Sequence, residues 1–335
     1  MSETIILAHG AGGTLSHELV DKLFVKAFAN AHVEALEDSA RLGVGGEHLA
    51  FTTDSFVVSP IFFPGGDIGK LAVCGTVNDL AVSGAVPRFL SLGLIIEEGF
   101  AMVSLRRIVE SIAATARAAG VAIVTGDTKV VNRGAADQIF INTSGIGFFP
   151  AGRELGVAKL RPGDRVLING YVGDHGIAVL SKREGLAFGT SLERDCAPLG
   201  GLIATMFEAF PGIRLMRDPT RGGVASTLNE IAAQARLGIE LVDEAVPVRD
   251  QVAGACEMLG FDPLYVANEG KVLAFVPEEH CDAVLAAMRS HPLGEAAAAI
   301  GEVISGPAGR VTVRTPYGAH RILDMLAGDL LPRIC

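Results

Sequence analysis

Between residues 41 and 150, short runs rich in β-branched and aromatic residues alternate with helix-length apolar stretches. That interleaving restricts the chain to mixed α and β layers. "HLAFTTDSFVV", "FLSLGLII", "VAIVTGDTKVV" and "IFINTSGIGFF" are bounded by glycine, proline and polar residues, as strands are. "IGKLAVCGTVNDLAVSGA" and "SLRRIVESIAATARAAG" lie between them as helices. Ahead of this region the loop "HGAGG" opens onto "TLSHELVDKLFVKAFANA", where Leu15, Leu19, Leu23, Phe24, Ala27 and Phe28 recur at helical spacing. Thr14 or Ser16 can cap that helix. The polar, turn-rich "PAGRELGVAKLRPGD" marks a seam. A second unit then runs through "RVLING", the helix "GIAVLSKREGL", the segment "RDPTRGGVASTLNEIAAQA", a strand pair around "YVANEGKVLAFV" and the helix "HCDAVLAAMRS". "GRVTVRTPYGAHRIL" reads as a hairpin, and "DMLAGDLLPRIC" remains as a tail broken by Gly328 and Pro332. The expected class is α/β (α+β), and 335 residues suffice for two packed cores.

Charge and cysteine usage narrow the function. A formal net charge of −10 and a pI near 5.3 argue against binding nucleic acid or an anionic membrane, because both tasks call for a basic surface. The most apolar region is interrupted by Asp79 and Arg88 before a bilayer-length run accumulates, so no membrane span is expected. "MSETIILAHGAGG" lacks a basic n-region, so no signal peptide is expected either. The five cysteines Cys74, Cys196, Cys256, Cys281 and Cys335 contain no CxxC pair, which disfavours disulfide frameworks and zinc and points to a reducing cytoplasm.

Familiar nucleotide motifs fail on inspection. In "PGGDIGKL" Pro64 occupies the place of the first P-loop glycine and Leu71 that of the magnesium-holding hydroxyl. "GVGGEH" has His48 where a dinucleotide fingerprint needs glycine, and no GxSxG elbow is present. What remains is a set of aspartates in apolar settings: Asp54 ends "LAFTTD", Asp79 lies in "GTVNDLA", Asp127 ends "VAIVTGD" and Asp218 precedes "PTRGG". Carboxylates there are costly to desolvate unless a cation compensates, and several together suit magnesium. Taken singly, each also reads as a turn residue or a surface position on an amphipathic helix. The loop "HGAGG", with His9, Gly10, Gly12 and Gly13, can present N–H groups to an anion at a helix start, or serve as a plain N-terminal turn. Lys70 and Lys129 can steady phosphate charge, and Glu269, in "NEG" between two apolar runs, can act as a base. "TVNDLA" at 76–81 is echoed by "TLNEIA" at 227–232, one in each half.

Together, "HGAGG", "TTDSFVVSPIFFPGGDIGKLAVCGTVNDLAVSGA", "VTGDTKVV", "DPTRGGVASTLNEIA", "DPLYVANEGK" and the terminal "PRIC" resemble the HypE family of hydrogenase maturation proteins, the carbamoyl dehydratases, over essentially the whole chain. Their wider superfamily includes proteins similar to aminoimidazole ribonucleotide synthetase (PurM-like), selenophosphate synthetase and thiamine-monophosphate kinase. The resemblance implies a two-domain PurM-like fold: a flap and helix at 1–40, an ATP-binding and dimerisation domain at 41–150, a second domain at 151–310, and a hairpin with a mobile tail at 311–335. It implies a homodimer whose N-terminal sheets pair into a barrel, with ATP and Mg2+ as cofactors. Asp54, Asp79, Asp127 and Asp218 are carried over as metal ligands. His9, Gly10, Gly12, Gly13, Lys70, Asn78, Thr128 and Asn229 are carried over to the nucleotide. Cys335, Glu269 and Lys129 are carried over to catalysis.

The implied activity gives the last residue a purpose. A thiol can hold an acyl-type group in reactive form, and residues 329 to 335 can extend roughly 23 Å at about 3.3 Å per residue. In such proteins a carbamoyltransferase, HypF, loads the terminal sulfur, ATP drives dehydration to a cyano group, and a HypC–HypD scaffold accepts it for the hydrogenase iron. Arg333 is expected to offset the terminal carboxylate, which raises the thiol pKa. A small-molecule kinase or synthetase of the same superfamily is the alternative reading, and a degenerate ATP fold with a docking tail is a third.

Overall fold

A computed structural model describes residues 6–334 apart from 29, 35, 45, 46, 186–195, 327, 329 and 332. Cys335, Asp329 and Pro332 of the tail therefore lie outside the described residues. A 3-10 turn, Leu7–Gly10, leads into α1 (Thr14–Leu19), a π-helical stretch Val20–Val25, α2 (Lys26–Phe28) and the short α3 (Ala31–Glu34). The helix expected from the spacing is present from Thr14, but a π-helical stretch widens and underwinds it midway, and Leu23, Phe24 and Phe28 are exposed at 47%, 42% and 63%. It lies along the surface, fastened by polar contacts such as His17 Nε2 to Glu230 Oε1 at 2.9 Å, rather than inserted in a core.

The first sheet has the order β1 (Ala40–Val44), β2 (Glu47–Phe56), β7 (Ile139–Phe148), β5 (Val86–Glu97) and β6 (Ala122–Val131). All neighbours are antiparallel except β5 and β6. Between them the chain forms a two-residue ladder of β3 (Phe62–Phe63) with β4 (Gly66–Asp67), then α4 (Ile68–Val82) and, after β5, α5 (Met102–Ala118). Asp67 caps α4, its Oδ1 accepting from the N–H groups of Gly69 and Lys70 at 2.8 and 3.1 Å. An apolar sequence on every side buries α4 almost throughout, against the sheet on one flank and α5 on another. Gly145 of β7 permits this approach, since a Cβ there would lie 2.8 Å from Leu80 and Thr76 of the helix. The opposite face of the sheet carries the exposed side chains Phe51, Phe89, Ile95 and Phe148.

The second sheet has the order β14 (His320–Leu323), β13 (Val311–Arg314), β10 (Gly238–Val242), β12 (Ala298–Ile304), β8 (Arg165–Ile168), β11 (Leu273–Val276) and β9 (Leu215–Arg217). Its helices are α6 (Asp174–Glu184), α7 (Gly200–Ala209), α8 (Gly223–Ala235), α9 (Asp250–Leu259) and α10 (Cys281–Ser290). Continuous apolar runs such as "LAFV" arise because β8 and β11 are buried on both faces. Val166, Ile168, Leu273 and Phe275 pack with Val224, Leu228 and Ile231 of α8. Leu167, Ala274 and Val276 turn the other way, towards α7 and α10. The expected strand pair around 265–276 is a single strand: Asn268, Glu269 and Lys271 form a buried turn, where the Asn268 amide bonds the backbone of Gly173, Pro219 and Val266 in place of a neighbouring strand.

The two units share a core. Phe56, Val58 and Phe63 of the first pack with Ile177, Val252 and Val266 of the second, and with Leu331 and Ile334 of the tail. Among the described residues no helix is long and apolar enough to cross a membrane, and Cys74, Cys196, Cys256 and Cys281 are buried and joined in no disulfide. Asn78 adds a polar tie, its Nδ2 donating to Ala197 O at 3.0 Å and its Oδ1 accepting from Leu199 N at 2.8 Å. Asn78→Ala leaves two buried backbone groups without partners and is expected to cost about 2–4 kcal/mol. A urea unfolding curve checks this through a lowered midpoint.

Candidate active site

Asp79 from α4, Thr227 and Glu230 from α8, Asp38 ahead of β1, and Arg217 and Asp218 at the end of β9 line one cavity of about 340 Å3. The N-terminal loop supplies His9 and Gly12 to its rim. The position of α4 in the core explains why Asp79 is drawn inward: its helix has no wet face to carry it outward. Thr52 Oγ1 donates to Asp79 Oδ2 at 3.0 Å.

The carboxylates burden one another. Burial first, then the charges of Asp218, Asp54 and Asp38, push the Asp79 carboxyl well above the ordinary carboxylate range. Burial and then Asp38 and Glu269 do the same to Asp218. Asp38 is raised by burial against the opposing pull of Arg217. Burial likewise raises Asp54, while Arg221 and the N–H of Ser55, donating at 2.8 Å, act the other way. Arg217 is the counter-ion: burial works against its charge, but the Asp38 and Glu37 carboxylates prevail and hold it protonated. Its Nη1 pairs with Asp38, and its Nη2 lies 3.4 Å from Glu37 and donates to Leu36 O at 3.1 Å. One buried guanidinium faces at least four carboxylates, an imbalance that a polyanion's own cation would correct.

The glycine loop is held in place from both sides. Gly12 adopts φ +73° beside Arg221, where a Cβ would lie 3.0 Å from Arg221 O. Gly13 precedes α1, and a Cβ on it would fall 2.2 Å from Leu326 O, so no other residue fits. Ser16 Oγ accepts from Gly12 N at 2.9 Å and donates to His9 O at 3.0 Å. His9 Nδ1 lies 3.1 Å from Ile6 N and 3.3 Å from Ile6 O, which anchors the ring to the start of the turn. Gly10 closes the preceding turn.

Asp54, Asp79, Asp218, His9 and Gly12 are thus brought together, and Glu269, buried, stands close enough to Asp218 to raise its pKa. Asn268 sets that turn, its Oδ1 accepting from Gly173 N at 2.7 Å and its Nδ2 donating to Pro219 O at 3.0 Å. Other expected residues lie elsewhere. Asp127 and Lys129, with Thr128 between them, sit on edge strand β6, where Lys129 Nζ and Asp127 pair at 2.8 Å in solvent. Lys70 donates to Gly65 O at 2.8 Å at the first turn of α4, nine residues before Asp79 and so about 13 Å along the axis. Asn78 holds residues 197–199, and Asn229 donates to Ala225 O and Leu323 O, both at 2.8 Å. The echoed hexapeptides explain a further member: Asp79 and Glu230 are their fourth residues, and both line the cavity. Asp38 and Arg217 carry no motif signal of their own.

The tail approaches the same place. Leu331 and Ile334 are buried, and Ile334 O accepts from His175 Nε2 at 2.9 Å. Arg333, expected to offset the terminal carboxylate, donates through Nε to Val57 O at 2.9 Å and pairs through Nη1 with Asp137; the carboxylate itself lies outside the described residues. A cleft of about 180 Å3 beside Leu330, Leu331 and Ile334 shares Arg221 with the carboxylate cavity.

Comparison with known proteins agrees with this architecture. Residues 36–149 match the AIR synthase related protein N-terminal domain and residues 161–314 its C-terminal domain. Carbamoyl dehydratase HypE of Rhizobium leguminosarum bv. viciae is 54% identical over 332 residues, covering 99% of this chain and 95% of that protein. A crystal structure of a HypE–HypF complex superposes with a TM-score of 0.87 at 49% identity, covering 92% of this chain and 99% of the other. A HypE structure in complex with ATP gives 0.82 at 49% identity, covering 99% and 100%. The chain belongs to the carbamoyl dehydratase HypE family, built on the paired AIR synthase related domains.

Proposed function

We propose that the chain dehydrates a carbamoyl group carried on its own Cys335 to a cyano group at the expense of ATP. The observation that carries the reading is the meeting of tail and carboxylate cavity at Arg221, which lines both. A HypE relative at 49% identity binds ATP, and another forms a complex with HypF, which supports ATP as substrate and a HypF carbamoyltransferase as donor. The cyano group then passes to a HypC–HypD scaffold for the hydrogenase iron.

The chemistry follows from what the cavity offers. The carbamoyl oxygen attacks the γ-phosphorus and ADP leaves; one N–H proton is lost as the C=N bond forms. Cleavage of the C–O bond then expels phosphate, the second N–H proton departs, and sulfur is left bonded to C≡N. Glu269, buried and close enough to Asp218 to act on its charge, is assigned the proton-accepting role. The His9 ring and the N–H groups of the glycine loop contact phosphate oxygens, and Arg221 attracts the nucleotide's charge. Among the described residues no three acidic, histidine or cysteine side chains are gathered at metal-ligand spacing. Magnesium seldom asks for that, taking one or two carboxylates and completing its shell with phosphate and water. The half-buried Asp38, Asp54, Asp79 and Asp218 are the oxygen donors such an ion fits. Bound there, it would neutralise charge developing on the transferred phosphoryl group. Asp127 and Lys129 stand on the first sheet, whose bare apolar face is the one a homodimer would cover, so their part in the reaction is assigned to the site of a second copy.

Three outcomes test this. Mass spectrometry of the C-terminal peptide after incubation with the carbamoyl donor should find an adduct on Cys335 that loses the elements of water only when ATP is added. Cys335→Ala should bind ATP normally and show no such turnover, whereas a small-molecule kinase would be indifferent to the change. Asp79→Asn should lower dehydration about 100-fold or more while raising the melting temperature of the ligand-free protein, because it deletes a charge that burial disfavours. The pH dependence has a definite sign. A carboxyl raised in the folded state stabilises the fold below its unfolded value near 4, and that contribution is lost as pH rises through the folded value. Calorimetry should therefore show Mg2+ with a non-hydrolysable ATP analogue stabilising the protein more at pH 8 than at pH 5.5.

A further inference from the structure

The last described residues are fastened at points the proposed reaction does not use. Arg183, near the end of α6, donates to Ser59 O through Nε and Nη2 at 2.8 and 2.6 Å, and Nη2 also donates to Arg333 O at 2.9 Å. The N–H of Ser59 donates to the same Arg333 carbonyl at 3.2 Å. The Arg333 guanidinium meets Val57 O and, on the turn between β6 and β7, the Asp137 carboxylate. One residue further, Ile334 is buried with its carbonyl on His175, whose ring is itself fixed edge-on to Phe63 at 5.6 Å between centroids. Arg333 adopts φ +54°, a left-handed conformation unfavourable for a side chain with a Cβ. Contacts to both its carbonyl and its guanidinium hold it there.

We propose that Arg183, Asp137 and His175 form a clamp that seats the tail in one register and so presents the terminal thiol to the phosphate cavity, with the Arg333–Asp137 pair as its releasable part. These are positioning residues, and the thiol's purpose rests on the function proposed above. The division of labour follows from exposure. Arg333 and Asp137 keep 32% and 46% of their side-chain surface in solvent, so water and salt weaken their pair, whereas His175 makes its contact within the core. A carrier that must leave to collect its cargo needs a docked state of modest depth, and a screened ion pair supplies that.

The test reads tail release without turnover. N-ethylmaleimide alkylation of Cys335 is timed by mass spectrometry of the C-terminal peptide in the full chain, where Cys74, Cys196, Cys256 and Cys281 are buried and report separately. Asp137→Asn should speed alkylation roughly fivefold, the factor that the loss of one exposed ion pair produces. Asp137→Glu should restore the slow rate, and 1 M salt should reproduce the effect in the wild type. Dehydration should slow with Asp137→Asn while loading from the carbamoyltransferase stays at least as fast. Alkylation of Asp137→Asn at the wild-type rate, or equal losses of loading and dehydration, would overturn the clamp. Release of Cys335 in the variant together with no ATP-dependent loss of water in the wild type would leave the clamp standing and sink the functional reading instead.

Discussion

The structure is organised around a repulsion. Asp38, Asp54, Asp79 and Asp218 gather half-buried at one cleft; burial raises all four, and the charges of the other three make Asp79 harder still to ionise. Arg217 is buried among them and relieves part of the strain. Nothing in folding favours such a gathering for its own sake, since a set of apolar residues of equal size would be the more stable choice. The surrounding architecture is what maintains it: α4, enclosed on nearly every side, keeps Asp79 in the core, and the Asn268 amide fastens the segment that follows Asp218. On the function proposed above, that cost is offset on ligand binding, when the same carboxylates would hold a cation.

Two helices with a shared hexapeptide pattern frame the cavity. In each, the asparagine at the third position secures a neighbouring strand or loop, and the carboxylate at the fourth enters the cavity. The division between scaffold and chemistry therefore runs between adjacent residues. It also explains why Asn78 and Asn229, carried over with the nucleotide ligands, turn out to hold the protein's own backbone.

Much of this was legible in the sequence, for identifiable reasons. Asp54, Asp79 and Asp218 stand out because an aspartate in an apolar run must be either compensated or functional. Asp127 satisfied the same criterion, but its strand is at a sheet edge, and an edge lends no burial. Asp38 was hidden in the polar stretch "LEDSARL", because its burial is created by Arg217, distant in the chain. The N-terminal helix is legible in its spacing but its exposure is not, because periodicity reports which face is apolar, not whether anything covers it. β9, β10 and β12 are short or glycine-interrupted, and their pairing is settled by the sheet rather than by local pattern.

Leu326 links the two ends of the chain. Its carbonyl accepts from Thr14 N at 3.0 Å and leaves no room for a side chain on Gly13, so the loop at the cavity rim and the root of the tail are joined at one peptide group. Ordering one end then restricts the other, and the free energy of that coupling is the same in both directions. On the function proposed above, nucleotide capture and cysteine delivery would then reinforce each other, and a chain still away collecting its cargo would keep a looser hold on its fuel.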